Sequence, residues 1–203
     1  MTQKIDFEDI KAKILNRAKA AQACTEQYSQ AYKSETAQAC TEQYDRAYKS
    51  ETLQELCSVI KDNFHWWVNN KVITSDLLIQ YRKEFAQNDI FINISVRCGF
   101  LLCSNATVKA WDNVTVEACD NAIVKAWNNA TVNVYDNTTV EAYGNATVEA
   151  FDNTTVKTWG NATVNVYNNA TVEAWGNVTV EASRCIIECK LSGKKRKYCV
   201  LCI

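Results

Sequence analysis

Proline is absent from the 203 residues, histidine and methionine occur once each, and there are only five glycines. Each scarcity removes a class of function. The lone His65, in "NFHWWVNN", has no nucleophile or acid beside it in sequence to form a catalytic pair, so a core or capping histidine is the simpler reading. No glycine-rich phosphate loop occurs. A formal net charge of −1 gives no global field that would favour nucleic acid or an anionic membrane. No apolar run approaches the ~18 residues of a membrane helix. The opening "MTQKIDFEDI" lacks a cationic start followed by an apolar stretch, so no signal peptide is expected and a cytoplasmic location is the expectation.

What is present is unevenly spread. Residues 1–104 carry 13 basic and 13 acidic groups, residues 105–183 carry 3 and 9, and residues 184–203 carry 6 and 1. The ten cysteines are scattered, with no secretory context to ask for a disulfide framework, and read as buried free thiols. Cys185 and Cys189, with Cys199 and Cys202, have the count of a tetrahedral zinc site. Cys185 and Cys189 also alternate with Ile187 and Leu191 as the buried face of a strand would, and the second pair is embedded in "YCVLCI", so no metal is expected. Asn-x-Thr sequons in nine of ten repeats are by-products of the repeat.

Residues 1–88 read as a helical module. The first 70 contain no Gly or Pro and are rich in Ala, Gln, Glu and Lys. Phe7, Ile10, Ile14 and Ala18 recur at helical spacing behind an Asp6 cap, and Thr52 with Glu55 forms a capping box. "AQACTEQYSQAYKSET" (21–36) returns as "AQACTEQYDRAYKSET" (37–52). A 16-residue insertion would rotate the apolar face of a straight helix by roughly 160°, so a break is expected near Ser34–Thr36. A further helix is predicted over 75–87 from a Thr74/Ser75 cap. Residues 89–104, alternating Ile90, Ile92, Ile94 and Val96, are expected to form a cap or first coil.

From Asn105 to Ser183 the chain repeats an eight-residue unit ten times, typified by "NATVEAFD". Label its positions a to h from the Asn. Positions b, d and f are Ala, Val or Thr. Positions c, e and g are Thr, a charged or amide residue, and usually an aromatic. Strict alternation gives a strand with one small apolar face and one decorated face, and "DN", "GN" or "NN" at h–a supplies the corner. In an antiparallel meander, g would oppose the next b and e the next d, so each sheet face would mix Val with Lys and Glu. Parallel stacking sends every b, d and f inward instead. The fold expected is therefore α+β: a helical N-terminal module, then a parallel β-solenoid over 105–183, then a capping β-hairpin over 184–203.

A two-sided coil of about 16 residues is favoured over a three-sided one. The inward residues are small enough for two sheets pressed close, and Trp111, Trp127, Trp159 and Trp175, with Tyr143, all fall in odd-numbered repeats. Ten octads then make about five coils and a rod of roughly 24 Å.

These octads, preceded by the helical "IKAKILNRAKAAQAC" and "YKSETLQELCSVIKDNF", resemble those of uncharacterised bacterial repeat proteins with "NATVEAYD"-type arrays, over most of the chain. The resemblance implies a β-solenoid and lends no activity.

For function, the corners are too short to carry the loop-borne acid clusters of a β-helix hydrolase, so neither an enzyme nor a cofactor is expected. The basic "GKKRK" (193–197) reads as a solvated hairpin tip rather than a nucleic-acid site, since no aromatics interleave it. The Thr row from Thr107 to Thr179 is similar to that of ice-binding solenoids, yet charged and aromatic side chains follow each Thr. The aromatic column remains: Trp111, Trp127, Tyr143, Trp159 and Trp175 are the candidate binding residues of a non-enzymatic scaffold. Its partner would be a protein, a glycan or a second copy of the chain. The duplications suggest a fast-changing locus, such as a mobile element or a phage conflict.

Overall fold

The structure is a computed structural model, which describes residues 7–29, 35–183 and 190–192, with side chains at 7–21 and 42–181. The Asp6 cap, both C-terminal cysteine pairs, the 193–197 basic run and most of the expected hairpin lie outside these. The chain divides after Ile90 into two compact units.

The first unit holds six helices among the described residues: α1 Phe7–Ser29, α2 Glu35–Lys49, α3 Leu53–Asp62, α4 Phe64–Asn69, α5 Ser75–Gln80 and α6 Arg82–Ala86. The two copies of the duplication begin alike. "AQACTEQY" is helical in both, in α1 and in α2. Of the break expected near Ser34–Thr36, Ser34 lies outside the described residues, and Glu35 and Thr36 already belong to α2. Ile10, Ile14 and Ala18 of α1 are buried as their spacing predicts, with Ala47, Leu56, Ile60, Trp67, Leu77 and Phe85 from the other helices.

The capping box forms with a shift. Thr52 Oγ1 accepts from Glu55 N–H at 3.2 Å, while the Glu55 carboxylate reaches the N–H of Glu51, one residue earlier than the ideal partner, at 2.8 Å. The helix predicted over 75–87 is broken at Tyr81 (φ −114°, ψ 35°). The physical reason is non-local. The Tyr81 ring is buried, and its hydroxyl donates to Asp9 while accepting from Lys13, both on α1.

The second unit contains thirteen strands among the described residues. They are β1 Ile90–Ile92, β2 Phe100–Ser104, β3 Thr107–Ala110, β4 Thr115–Cys119, β5 Ile123–Asn128, β6 Thr131–Val134, β7 Thr139–Gly144, β8 Thr147–Ala150, β9 Thr155–Gly160, β10 Thr163–Tyr167, β11 Thr171–Gly176, β12 Thr179–Ser183 and β13 Lys190–Ser192. They alternate between two sheets, a seven-stranded one ordered β1-β2-β4-β6-β8-β10-β12 and a six-stranded one ordered β3-β5-β7-β9-β11-β13. Repeat strands pair parallel with a 16-residue offset, so Val140 lies beside Val156 and Val132 beside Val148. This is the two-sided β-solenoid of about five coils. The offset slips to 15 residues between β2 and β4 and to 17 between β11 and β13. The parallel β13 thus prolongs the six-stranded sheet beyond the last octad.

The core is one column-like cluster of Val and Ala from positions b, d and f of both sheets, most of them fully buried. All nine residues at position h, from Asp112 to Gly176, have φ between 60° and 97°. This left-handed conformation disfavours β-branched and bulky side chains, and Asp, Asn and Gly alone fill the position. At position a, Asn129, Asn145, Asn161 and Asn177 each donate to the Asn one coil earlier at 3.4–3.5 Å, the long end of the hydrogen-bond range. No described helix is long and apolar enough to cross a membrane.

Candidate interaction face

Odd-numbered octads all fall in the six-stranded sheet, so position g brings Trp111, Trp127, Tyr143, Trp159 and Trp175 into one column, as the 16-residue coil requires. Their ring centroids follow one another at 5.5, 5.5, 4.8 and 4.7 Å, with interplanar angles of 15°, 10°, 8° and 7°. The spacing is that of neighbouring strands, and the near-parallel planes are those of offset stacks. Each ring is half-buried, its faces turned to its neighbours along the column. At one end the Arg97 guanidinium lies 5.3 Å from the centre of the Trp111 ring, a cation–π closure of the stack.

Position e runs alongside as Lys109, Lys125, Glu141, Lys157 and Glu173. Lys125 Nζ meets Glu141 at 2.8 Å, and Lys157 Nζ approaches Glu173 at 3.9 Å. Tyr143 donates its hydroxyl to Glu141 at 3.2 Å. The Lys125 hydrogen bond, assisted by its charge, holds the Glu141 carboxyl below the usual value, and Glu141 in turn raises Lys125. Burial first, then the Glu141 charge, raises the Tyr143 phenol. Position c completes the face with Thr, except for the exposed Ile123.

The seven-stranded sheet has its own aromatic row: Tyr135, Phe151 and Tyr167 stack at 5.1 and 4.7 Å. Its position e behaves differently from the expectation of an outer, solvated column. Leu102, Glu117 and Asn133 succeed one another along it, exposed by 2 %, 0 % and 9 %. Asn133 Nδ2 donates to the Glu117 carboxylate at 2.7 Å. The neighbouring Tyr135 phenol is pushed up, by burial first and then by Glu117 and Glu149. The apolar Leu102 at the head of a charged column is the sequence feature that accompanies this burial.

The remaining candidates are dispersed. His65 is half-buried in the first turn of α4. Among the described residues, no three His, Cys, Asp or Glu side chains are grouped so as to hold a metal ion. The helical unit has an open groove lined by Glu8, Lys11, Leu15, Tyr48 and Glu51. The molecule is therefore defined by its fold, a two-sided β-solenoid joined in sequence to a helical unit, and by stacked aromatic rows on both sheets, the longer on the six-stranded one. Comparison with protein-family models, curated proteins and solved structures gives no match.

Proposed function

We propose that the protein is a non-enzymatic scaffold that binds a protein partner through the outer face of its six-stranded sheet, at Trp111, Trp127, Tyr143, Trp159 and Trp175. The observation that carries this reading is the unbroken five-ring stack beside a row of charged side chains, Lys109, Lys125, Glu141, Lys157 and Glu173. Aromatic side chains with a charged margin are the usual composition of binding hot spots. The stacking favours a protein over a glycan, because a sugar ring packs on an aromatic face and these faces are occupied by one another. A cytoplasmic setting accords with the free thiols at Cys57, Cys98, Cys103 and Cys119. Membership of the bacterial octapeptide-repeat proteins accords with the coil geometry.

The test is capture from a lysate of the source organism, comparing intact protein with a Trp127→Ser, Tyr143→Ser, Trp159→Ser variant verified as folded by circular dichroism. Loss of a specific partner from the variant alone supports the reading. Equal capture by both proteins overturns it and confines the rings to holding the sheet.

A further inference from the structure

The charges on the six-stranded sheet are arranged so that the face complements itself. Strand registers place Lys125, Glu141, Lys157 and Glu173 in a line, one per strand, on β5, β7, β9 and β11. Consider two copies brought face to face about a two-fold axis that runs parallel to the strands, between β7 and β9. Each strand then lies over a strand of the other copy, β5 over β11 and β7 over β9. Positions c, e and g each meet their own kind, because the axis leaves distance along the strand unchanged. Every charge in the four strands meets its opposite: Lys125 faces Glu173, and Glu141 faces Lys157, twice each by symmetry. The aromatic rows come edge to edge, Trp127 with Trp175 and Tyr143 with Trp159. Beyond these strands β3 lies over β13, whose side chains lie outside the described ones, so the match is argued over the four strands β5, β7, β9 and β11.

Other alignments do less well. An axis along the solenoid lays each strand over itself and opposes Lys to Lys and Glu to Glu. Moving the strand-parallel axis onto β7 opposes Glu141 to itself and Lys125 to Lys157. Moving it between β5 and β7 opposes Lys109 to Lys157. Like-charge juxtaposition across an interface disfavours association. Moving the axis between β9 and β11 keeps Lys157 over Glu173 but brings β7 over the three-residue β13 and leaves Trp127 unpartnered. Charge and aromatic matching together select the axis between β7 and β9.

We propose that this face joins two copies of the chain in that arrangement. The proposal rests on the reading of the sheet as an interaction surface and names its occupant. Four strands of six residues give a flat footprint of roughly 20 by 20 Å. That is smaller than the ~800 Å² per partner of a standard interface. The dimer is accordingly weak and salt-sensitive, with dissociation in the micromolar range or above.

Sedimentation equilibrium across a concentration series, at low and high salt, tests it with Lys125→Glu and Glu173→Lys variants. Position e already carries Lys, Glu or Asn along the array, so both substitutions suit the strand. Wild-type protein is expected to dimerise at low salt. Either variant alone sets like charges opposite one another and weakens its dimer at least ~10-fold. A 1:1 mixture restores an interface near wild-type strength, because the carboxylate introduced at position 125 of one variant meets the ammonium introduced at position 173 of the other. Glu149→Lys, with the same change in net charge as Glu173→Lys but on the seven-stranded sheet, leaves dimerisation unchanged.

A wild type that stays monomeric throughout overturns the proposal, as does a mixture of folded variants that fails to recover. A dimer untouched by Lys125→Glu also overturns it, since the axis between β9 and β11 leaves β5 outside the contact. None of these results touches capture of a different protein through the aromatic column, which the triple serine variant reads separately.

Discussion

Gly160 stands directly over Gly144 in the stack of corners: a Cβ on Gly160 would lie 2.9 Å from the Gly144 carbonyl oxygen. Its φ of 95° is also one that residues with side chains rarely adopt. Gly160→Ala is therefore expected to destabilise the solenoid by about 2–3 kcal/mol, combining backbone strain with the close approach. At Gly144 the nearest contact would be 3.3 Å, to Asn128, itself left-handed at φ 63°. Gly144→Asn should cost less than half as much. Urea denaturation of the two variants gives the comparison, and equal losses would show that corner spacing does not set the cost.

Thr158 and Thr138 point inward and are both fully buried, but only one is satisfied. Thr138 Oγ1 donates to the Tyr135 carbonyl at 2.6 Å, whereas the Thr158 hydroxyl has no hydrogen-bond partner. Valine has nearly the same shape. Thr158→Val should raise stability by about 1–2 kcal/mol by removing an unpaired buried hydroxyl. Thr138→Val should lower it by about 1 kcal/mol. Melting temperatures that move in the same direction for both variants would refute this difference.

The sequence was most informative where the same contact recurs. Alternation within the octad identified the buried face from Val108 to Val172, because each strand meets a copy of itself and the periodicity alone determines its neighbours. The tryptophans in odd octads similarly indicated the two-sided coil. Where a contact joins unlike segments, no period announces it. The break at Tyr81 depends on Asp9 and Lys13, some 70 residues earlier. The burial of Glu117 and Asn133 departs from the rule for their position, and the other octads keep their e residue at least partly accessible. The charge self-match was present in the sequence as Lys125, Glu141, Lys157 and Glu173, but reading it required knowing which strands share a sheet.

Thiol reactivity should rank the described cysteines. Burial pushes the Cys57 and Cys103 thiols up to about 12, and burial with the adjacent Asp120 charge takes Cys119 to about 11. Cys98 is exposed. Since the thiolate is the reactive species, iodoacetamide at neutral pH should label Cys98 well before Cys119, and Cys57 and Cys103 only on unfolding. Asp120→Asn should quicken Cys119 by removing a charge that disfavours its thiolate. Peptide mass spectrometry after timed quenching reads the order, and early labelling of Cys103 would contradict it.

The Lys125–Glu141 pair sets how the solenoid responds to pH. Glu141 lies below its ordinary value of 4.5 in the folded protein, so the folded state binds that proton less tightly than the unfolded one. Its contribution is fully present above pH 4.5 and is lost as pH falls through the depressed value. Lys125 is raised above 10.5, which puts its contribution in place below that pH and removes it as pH climbs through the raised value. Tyr143, raised above 10.0, loses its contribution on the alkaline side as well. Lys125→Met should therefore reduce stability at neutral pH and flatten the fall below pH 4.5, because Glu141 loses the partner that lowers it. Both side chains are partly exposed, at 36 % and 27 %, so added salt should shrink the difference between variant and wild type. Chemical denaturation across the acid range up to neutral pH decides the matter: an unchanged acid slope in Lys125→Met would mean that the pair is formed but not coupled to folding.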